Sequence, residues 1–579
     1  MSAVVTPSSA AELPRPDHQP AYRRVSSRQV ARVGLVVLVV LVAFVVLYPA
    51  LRLLWQAFAK EGSFSLTAFS DLFGSRGFSS MISDTVIYVM GTVVTATLIG
   101  GFMAWAMERT DARINSLAGM LPVIPVLVPA IGLVFGYLAL FSPESGYANV
   151  LLRALFGIDS DRGPISLANF PSLILISAVS FAPMSYMVIS AALRNADPAL
   201  EEASRVSGAS LARTFLKVTL PSARTAILSS SLMVGILSIG AFTVPFFIGS
   251  SAGITTASVF VYRGFSNWPP QQDVAIALSV LLTVVVQLAV YAQLRASRAA
   301  NRGVIAGKRS AAGALQSLGR GRWPTRVVVF LYMAAVLLPL LALILASLLP
   351  YRGAGLSLSN LSFANYADVL SDPTSRRALI NSFMFGAVAA ILAMMVAAVL
   401  IYAASISRRS RIIDIVLYIP AAIPNTALAA AFIVSFAGAP FNLYGTVTLL
   451  VLAYVCAFLP QAAAASTAAV SQLNKELVEA SYVSCASPLR TAYRIIAPQL
   501  LPGLFAGWVI VFFMAVNEVT ISALLAGIDT PVVGKIAVGL FETGRAPQVT
   551  ALAVLTFLAS LIVVSLAYRT VSRFAATTR

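Results

Sequence analysis

Residues that carry out chemistry are scarce in this chain. Among 579 positions there are one histidine, two cysteines and 11% charged residues, against roughly a quarter charged in soluble domains. His18 stands in a polar amino-terminal tail, Cys456 lies in an apolar stretch and Cys485 in a short polar motif. The sequence therefore shows no His and Cys cluster with metal-ligand spacing and no disulfide framework, and neither a metal site nor a catalytic residue is expected. A phosphate-cradling loop of Gly, four residues, Gly-Lys-Ser or Thr is also missing. The nearest stretch, Gly303 to Arg309, has the wrong spacing and ends Gly-Lys-Arg. A membrane enzyme would need convergent catalytic groups, and the apolar stretches hold almost none. No soluble basic surface suited to nucleic acid is present either.

What fills the chain instead is apolar: 59% hydrophobic residues and a mean hydropathy of +0.87. Segments of the ~20 apolar residues that a bilayer core requires occur at 33–58, 84–107, 117–141, 171–193, 224–249 and 273–296, and again at 326–350, 381–404, 412–436, 445–468, 501–526 and 549–572. Backbone groups in hydrocarbon must be paired within the segment, so all twelve are read as helices. The expected fold is all-α, a polytopic membrane protein of about 12 transmembrane helices. The third and ninth spans carry Pro122, Pro125 and Pro129, and Pro420 and Pro424, and are read as bent or broken. No trustworthy cleavage site follows the first span, which is read as retained.

Charge orients the chain. With the amino terminus placed in the cytoplasm, 29 of the 40 Lys and Arg residues fall in cytoplasmic segments, as the positive-inside rule demands. The high isoelectric point is a topology signal, and both termini are expected in the cytoplasm with the protein in the inner membrane. The reading divides the chain into a cytoplasmic tail (1–32), one six-span half (33–296), a basic linker (297–325) and a second six-span half (326–579). Arg295 just before the linker, and Arg298, Arg302, Lys308, Arg309, Arg320 and Arg322 within it, stand near Gly, Ala and Ser, and the run reads as a flexible connector facing anionic lipid.

The halves repeat. Glu202-Ala203-Ser204, three residues, Gly208, nine residues, Val218-Thr219-Leu220-Pro221 recurs 277 positions later as Glu479-Ala480-Ser481, three residues, Cys485, nine residues, Ile495-Ile496-Ala497-Pro498. Phe181-Ala182-Pro183 and Phe458-Leu459-Pro460 share the offset, whereas Pro125 and Pro129 match Pro420 and Pro424 at 295, so the first half has about 18 extra residues between 142 and 170. Both motifs, 197–221 and 474–498, follow a fourth span. The halves therefore run in parallel about a pseudo-two-fold axis along the membrane normal, with a pathway between them. Within each motif, Asp197-Pro198 and Asn474 read as helix starts with acids at the positive end of the dipole. Gly208 reads as a left-handed stop and Ser210 or Ser487 as the restart. Pro221 and Pro498 read as breaks before the next span.

This pattern resembles the permease family of binding-protein-dependent ATP-binding-cassette (ABC) importers, whose signature is Glu-Ala-Ala, three residues, Gly, nine residues, Ile, one residue, Leu-Pro. The resemblance implies a type I ABC importer permease fold in which each short helix enters a groove on an ATPase subunit. It would assign that docking to Glu202, Ala203, Ser204, Gly208, Leu220 and Pro221, and to Glu479, Ala480, Ser481, Cys485 and Pro498. Cys485 and Ala497 depart from the signature's Gly and Leu, which points to an unequal second site, since a non-glycine left-handed residue costs roughly 1 kcal/mol or more. The implied partners are two copies of an ABC ATPase, which would hold ATP and Mg, an extracytoplasmic solute-binding protein, and the bilayer. No cofactor is assigned to this chain itself. Asn517 and Glu518, in the eleventh span, and Phe242, Thr243 and Pro245 in the matching segment of the first half, are candidate pathway residues. The alternatives for Glu518 are a structural pairing with a neighbouring helix or a place near the outer interface. The Phe-Thr-Val-Pro and Glu-Val-Thr-Ile-Ser segments look most like iron(III) importer permeases, with thiamine, aminophosphonate and polyamine importers as alternatives. A secondary transporter is the alternative of another class, but it has no reason to carry the duplicated motif.

Overall fold

A computed structural model describes residues 27–60, 62–113, 122–123, 125, 128–303, 315–354, 357–406, 410–484 and 486–577. The first half runs through α1 (Ser27–Ala57), α2 (Phe78–Arg109), α3 (Ala130–Phe141), α4 (Phe170–Asn195), α5 (Ala199–Val206), α6 (Leu220–Ile239), α7 (Thr243–Phe247), α8 (Ala257–Ser266) and α9 (Gln272–Gly303). The second continues with α10 (Arg322–Ser347), α11 (Pro373–Ile406), α12 (Ser410–Tyr418), α13 (Asn425–Phe436), α14 (Val447–Ser471), α15 (Lys475–Val483), α16 (Ala497–Val516), α17 (Thr520–Leu525), α18 (Val533–Glu542) and α19 (Ala546–Thr577). Among the described residues ten helices are long and apolar enough to cross a bilayer, and α12 with α13 forms an eleventh, bent by 105°.

Departures from the expected spans lie where proline, glycine or a polar side chain interrupts the helix. The ninth span breaks after a short 3₁₀ turn, Ile419–Ala422, which contains Pro420, and resumes behind Pro424; each ring removes a donor and crowds the preceding turn. In the third, the described helix begins only at Ala130, with Pro129 extended in front of it. The fifth and eleventh expected spans, 224–249 and 501–526, are each two helices. Their long helices stop at Ile239 and Val516, and α7 and α17 start after three unwound residues. The linker is also shorter than the expected 297–325, because α9 continues to Gly303 and α10 starts at Arg322; residues 304–314 lie outside the described ones.

The duplication holds element by element. An offset of 277 relates α6 to α16 at both ends, and likewise Leu211–Thr214 to Pro488–Thr491 and the first residue of α7 to that of α17. The offset for α3 and α13 is 295. The 18-residue excess is a helical insertion around Tyr147–Phe156. Buried Asn149 secures it, its amide donating to the carbonyls of Phe141, Ser142 and Ile165 at 2.8 to 3.2 Å.

The halves are interlocked. Helix α1 packs on α13 of the second half, and α10 packs on α3 of the first. Lipid offers no hydrophobic drive between helices, so close packing must hold them together. Gly136 lets α3 and α10 touch: a Cβ there would overlap the Pro339 carbonyl. The Tyr137 hydroxyl then donates to the Ala335 carbonyl at 2.7 Å. One apolar core runs through both halves, from Val46 and Phe135 to Phe432 and Phe512.

Candidate functional site

Each duplicated motif builds the same small object. A short polar helix starts under a side-chain cap: the Asp197 carboxylate accepts the Ala199 N–H at 2.9 Å, and Asn474 accepts that of Glu476 at 2.9 Å. In the first copy the helix stops at Gly208, whose φ of +81° is the left-handed conformation that glycine adopts without steric cost. The chain restarts when Ser210 caps the Arg213 N–H and, in the second copy, when Ser487 caps that of Arg490, both at 3.3 Å. Cys485, the counterpart of Gly208, lies outside the described residues.

A hydroxyl pair closes each hairpin. Ser204 Oγ meets Thr214 Oγ1 at 3.0 Å and Ser481 Oγ meets Thr491 Oγ1 at 2.8 Å. The third signature residue thus faces inward and holds the turn, while Glu202, Ala203, Gly208, Glu479 and Ala480 are exposed. Two apolar residues per copy stand out from this polar surface: Val206 and Val483 are 89% and 85% exposed, and Leu200 and Leu477 are 61% and 50% exposed. Their common spacing of 277 was visible in the sequence as a leucine and a valine kept at matching places in both short helices, a signal the motif reading passed over.

Pro221 and Pro498 do not break the chain. Both are exposed, and each sits at the first turn of its span, directly after a π-helical turn, Phe215–Thr219 or Ala492–Ile496. A π turn takes its hydrogen bonds five residues back, which absorbs the missing N–H and gives the ring room. The helix that follows the turn, Leu211–Thr214 or Pro488–Thr491, is consequently continuous with α6 or α16, so a push on this arm of the hairpin reaches the membrane helix without a loop between. Leu220 lies at the same join and is 38% exposed.

The candidate pathway residues sit at the two helix breaks. Glu518 lies in the break, not inside a helix as the eleventh span implied. Its carboxyl oxygens accept the N–H groups of Thr520 at 3.0 Å, Ile521 at 2.7 Å and Ser522 at 3.1 Å, and Asn425 Nδ2 lies at 3.5 Å. This capping explains why α17 starts there. The neighbouring Asn517 donates back to the Phe513 carbonyl at 2.8 Å. Across the interface, Gly240 at the first-half break faces Pro424, the pivot of the bent pair, so the two breaks and the bend meet. Beside them an aromatic seam crosses between halves. Phe541 of α18 lies 4.9 Å from Phe247 and 5.9 Å from Phe135, and Phe247 lies 5.1 Å from Phe246. Phe242, 4.9 Å from Phe246 and 5.0 Å from Tyr262, extends the seam. Pro245 is buried in α7 and Thr243 half-buried at its start. Sequence reasoning picked out Phe242 but not Phe541, whose position in a short helix outside the twelve spans hid it. Among the described residues no three His, Cys, Asp or Glu side chains gather to hold a metal ion.

Comparison with known proteins finds the same duplication. The family described as binding-protein-dependent transport system inner membrane component matches residues 96–298 and again 396–576. The ferric transport system permease protein FbpB of Actinobacillus pleuropneumoniae is 25% identical over 88% of this chain and 74% of its own length. A putative ferric transport system permease protein, FbpB 1 of Haemophilus influenzae, is 25% identical over 86% of this chain and 78% of its own length. The spermidine/putrescine transport system permease protein PotB of Salmonella typhimurium is 26% identical over 46% of this chain and 95% of its own length.

Proposed function

This chain belongs to the family of binding-protein-dependent transport system inner membrane components, with two copies of the family's unit in one polypeptide, and from that premise we propose how it works. It is the permease of an ABC importer, a multi-pass membrane protein that is not itself catalytic. Each exposed hairpin, α5 and α15 with its turn, docks one ATPase subunit. An extracytoplasmic binding protein delivers the solute to the opposite face, and both termini lie on the ATPase side of the inner membrane. The observation that carries the docking assignment is the pair of protruding valines, Val206 and Val483, at equivalent places on two hairpins that run unbroken into membrane helices.

Transport follows from that geometry. Closure of the ATPase pair displaces both hairpins, the displacement enters α6 and α16 through the π turns, and the halves part or close at the aromatic seam. Nucleotide shifts this equilibrium only by its differential contact with the two arrangements. The seam acts as an apolar barrier: Phe247 against Phe541 closes the route and their separation opens it. Glu518 positions α17 at the break and so shapes the route without binding the solute.

The solute we assign is ferric iron, supported by the likeness to ferric permeases along most of the chain. The spermidine/putrescine permease matches less than half of it. The test is uptake into proteoliposomes holding this chain, its ATPase and its binding protein. ATP-dependent uptake of ⁵⁵Fe(III), lost without the ATPase, is expected. Uptake that persists without the ATPase would make this a secondary transporter, and transport of spermidine but not iron would replace the solute.

A further inference from the structure

The two hairpins differ in how they are seated. In the second copy the seat is apolar: Ile496 and Leu500 pack with Ala469, against Val478 and Tyr402. In the first copy the residues equivalent to Val478 and Ile496 are Glu201 and Thr219, and the seat is a buried polar cluster. Glu201 is 6% exposed. Its Oε1 accepts the Thr219 hydroxyl at 2.8 Å and stands 3.8 Å from Arg109 Nε. Arg109 in turn donates to the carbonyls of Leu193 and Ala196 at 2.7 and 2.9 Å. The second carboxylate oxygen, Oε2, accepts from Gln316 Nε2 at 2.6 Å.

Gln316 belongs to the segment that leads into α10, the first span of the other half. Its backbone is bonded on both sides to the chain leaving α2: its N–H donates to the Arg109 carbonyl at 2.9 Å and its carbonyl accepts the Asp111 N–H at 3.0 Å. Asp111 takes the Leu318 N–H at 3.1 Å, and Arg326 of α10 donates to the Ala112 carbonyl at 3.4 Å. Further along, α10 is held by Tyr137 and the Gly136 contact of α3. The foot of α10 and the first hairpin are therefore one hydrogen-bonded body.

We propose that Gln316 and Glu201 form a strap that makes the first docking hairpin and the foot of α10 move together, so the first ATPase contact acts directly on a helix of the second half. Glu201, Arg109 and Gln316 are positioning residues. Among the described residues, the seat under α15 is the apolar group around Ile496 and Leu500. The inference rests on the docking reading, and it predicts that the two hairpins transmit motion unequally.

Exchanging the pair provides the test. Gln316→Glu sets two carboxylates against each other, whereas Glu201→Gln with Gln316→Glu restores a donor and an acceptor in reversed order and leaves an oxygen for Thr219. Spin labels at exposed positions 212 and 320, with both native cysteines replaced by serine, report the distance across the strap. A single narrow distance is expected in the wild-type background, unchanged between the permease alone and the vanadate-trapped complex. In Gln316→Glu the distribution broadens by at least 5 Å, and the exchanged double variant restores it. An unaltered distribution in Gln316→Glu overturns the proposal, as does failure of the exchange to restore it. The measurement on the permease alone judges the strap without any ATPase. Failure of the ATPase to co-purify with an otherwise narrow-distance permease would instead count against the docking reading.

Discussion

Replacing Glu518 separates a capping carboxyl from one that handles solute. Its two oxygens serve three backbone N–H groups at the start of α17, at 2.7 to 3.1 Å, in a side chain that is 7% exposed. Glutamine keeps one acceptor oxygen and turns an NH₂ toward the others, so at least one buried N–H loses its partner, at about 1–3 kcal/mol. Alanine leaves all three without one and costs about 3 kcal/mol or more by the same reasoning. For a unit the size of the second half each kcal/mol lowers the melting temperature by about 2–4 °C. Cys456, 1% exposed in α14, supplies the assay. With Cys485→Ser as background, a thiol-reactive dye reads its release on heating, and Tyr454 of the same helix hydrogen-bonds Ser522 of α17 at 2.6 Å, linking reporter to perturbation. The melting temperature is expected to fall from wild type to Glu518→Gln and further to Glu518→Ala. Equal melting of all three would refute the capping argument. Loss of uptake in Glu518→Gln with melting unchanged would return the carboxyl to the pathway.

Three further outcomes are expected. Gly136→Ala forces a methyl into the Pro339 carbonyl of the other half; a loss of about 1–3 kcal/mol should show in thermal unfolding in detergent, while an alanine at exposed Gly157 of the inserted helix, itself left-handed at φ +61° with open space around it, changes only local backbone strain. Gly208→Ala meets nothing within 4 Å, so its cost is conformational alone, about 1 kcal/mol; it should weaken ATPase affinity measured by pull-down, and Cys485→Gly should strengthen it. Phe247→Ala with Phe541→Ala removes the central pair of the seam at 4.9 Å and should produce an ion leak in liposomes without ATP, seen as dye-reported flux; tight liposomes would argue against the seam as a barrier.

Much of this was legible in the sequence, for identifiable reasons. The membrane class, the repeat and both hairpins follow from apolar length and from spacings that survive in both halves. The caps at Asp197, Ser210 and Ser487 and the left-handed Gly208 were read correctly because they depend on residues a few positions apart. Pro221 and Pro498 were misread as breaks, because the π turn that accommodates each leaves no mark in the local pattern. The fifth and eleventh spans were drawn too long because hydropathy continues across the breaks at 240–242 and 517–519, the second of which the Glu518 side chain caps. Glu201 looked like one more acid at a helix start. Its burial depends on Arg109 and Gln316, 92 and 115 positions away in the chain.

The most direct measurement of the docking claim is site-specific photo-crosslinking in the assembled importer. A photoreactive side chain replaces Val206, Val483 or, as a control at the opposite end, Trp268, which is 92% exposed. Adducts with the ATPase subunit are predicted at 206 and 483 and not at 268. Absence of an adduct at both valines, in a complex that still imports solute with ATP, would contradict the account.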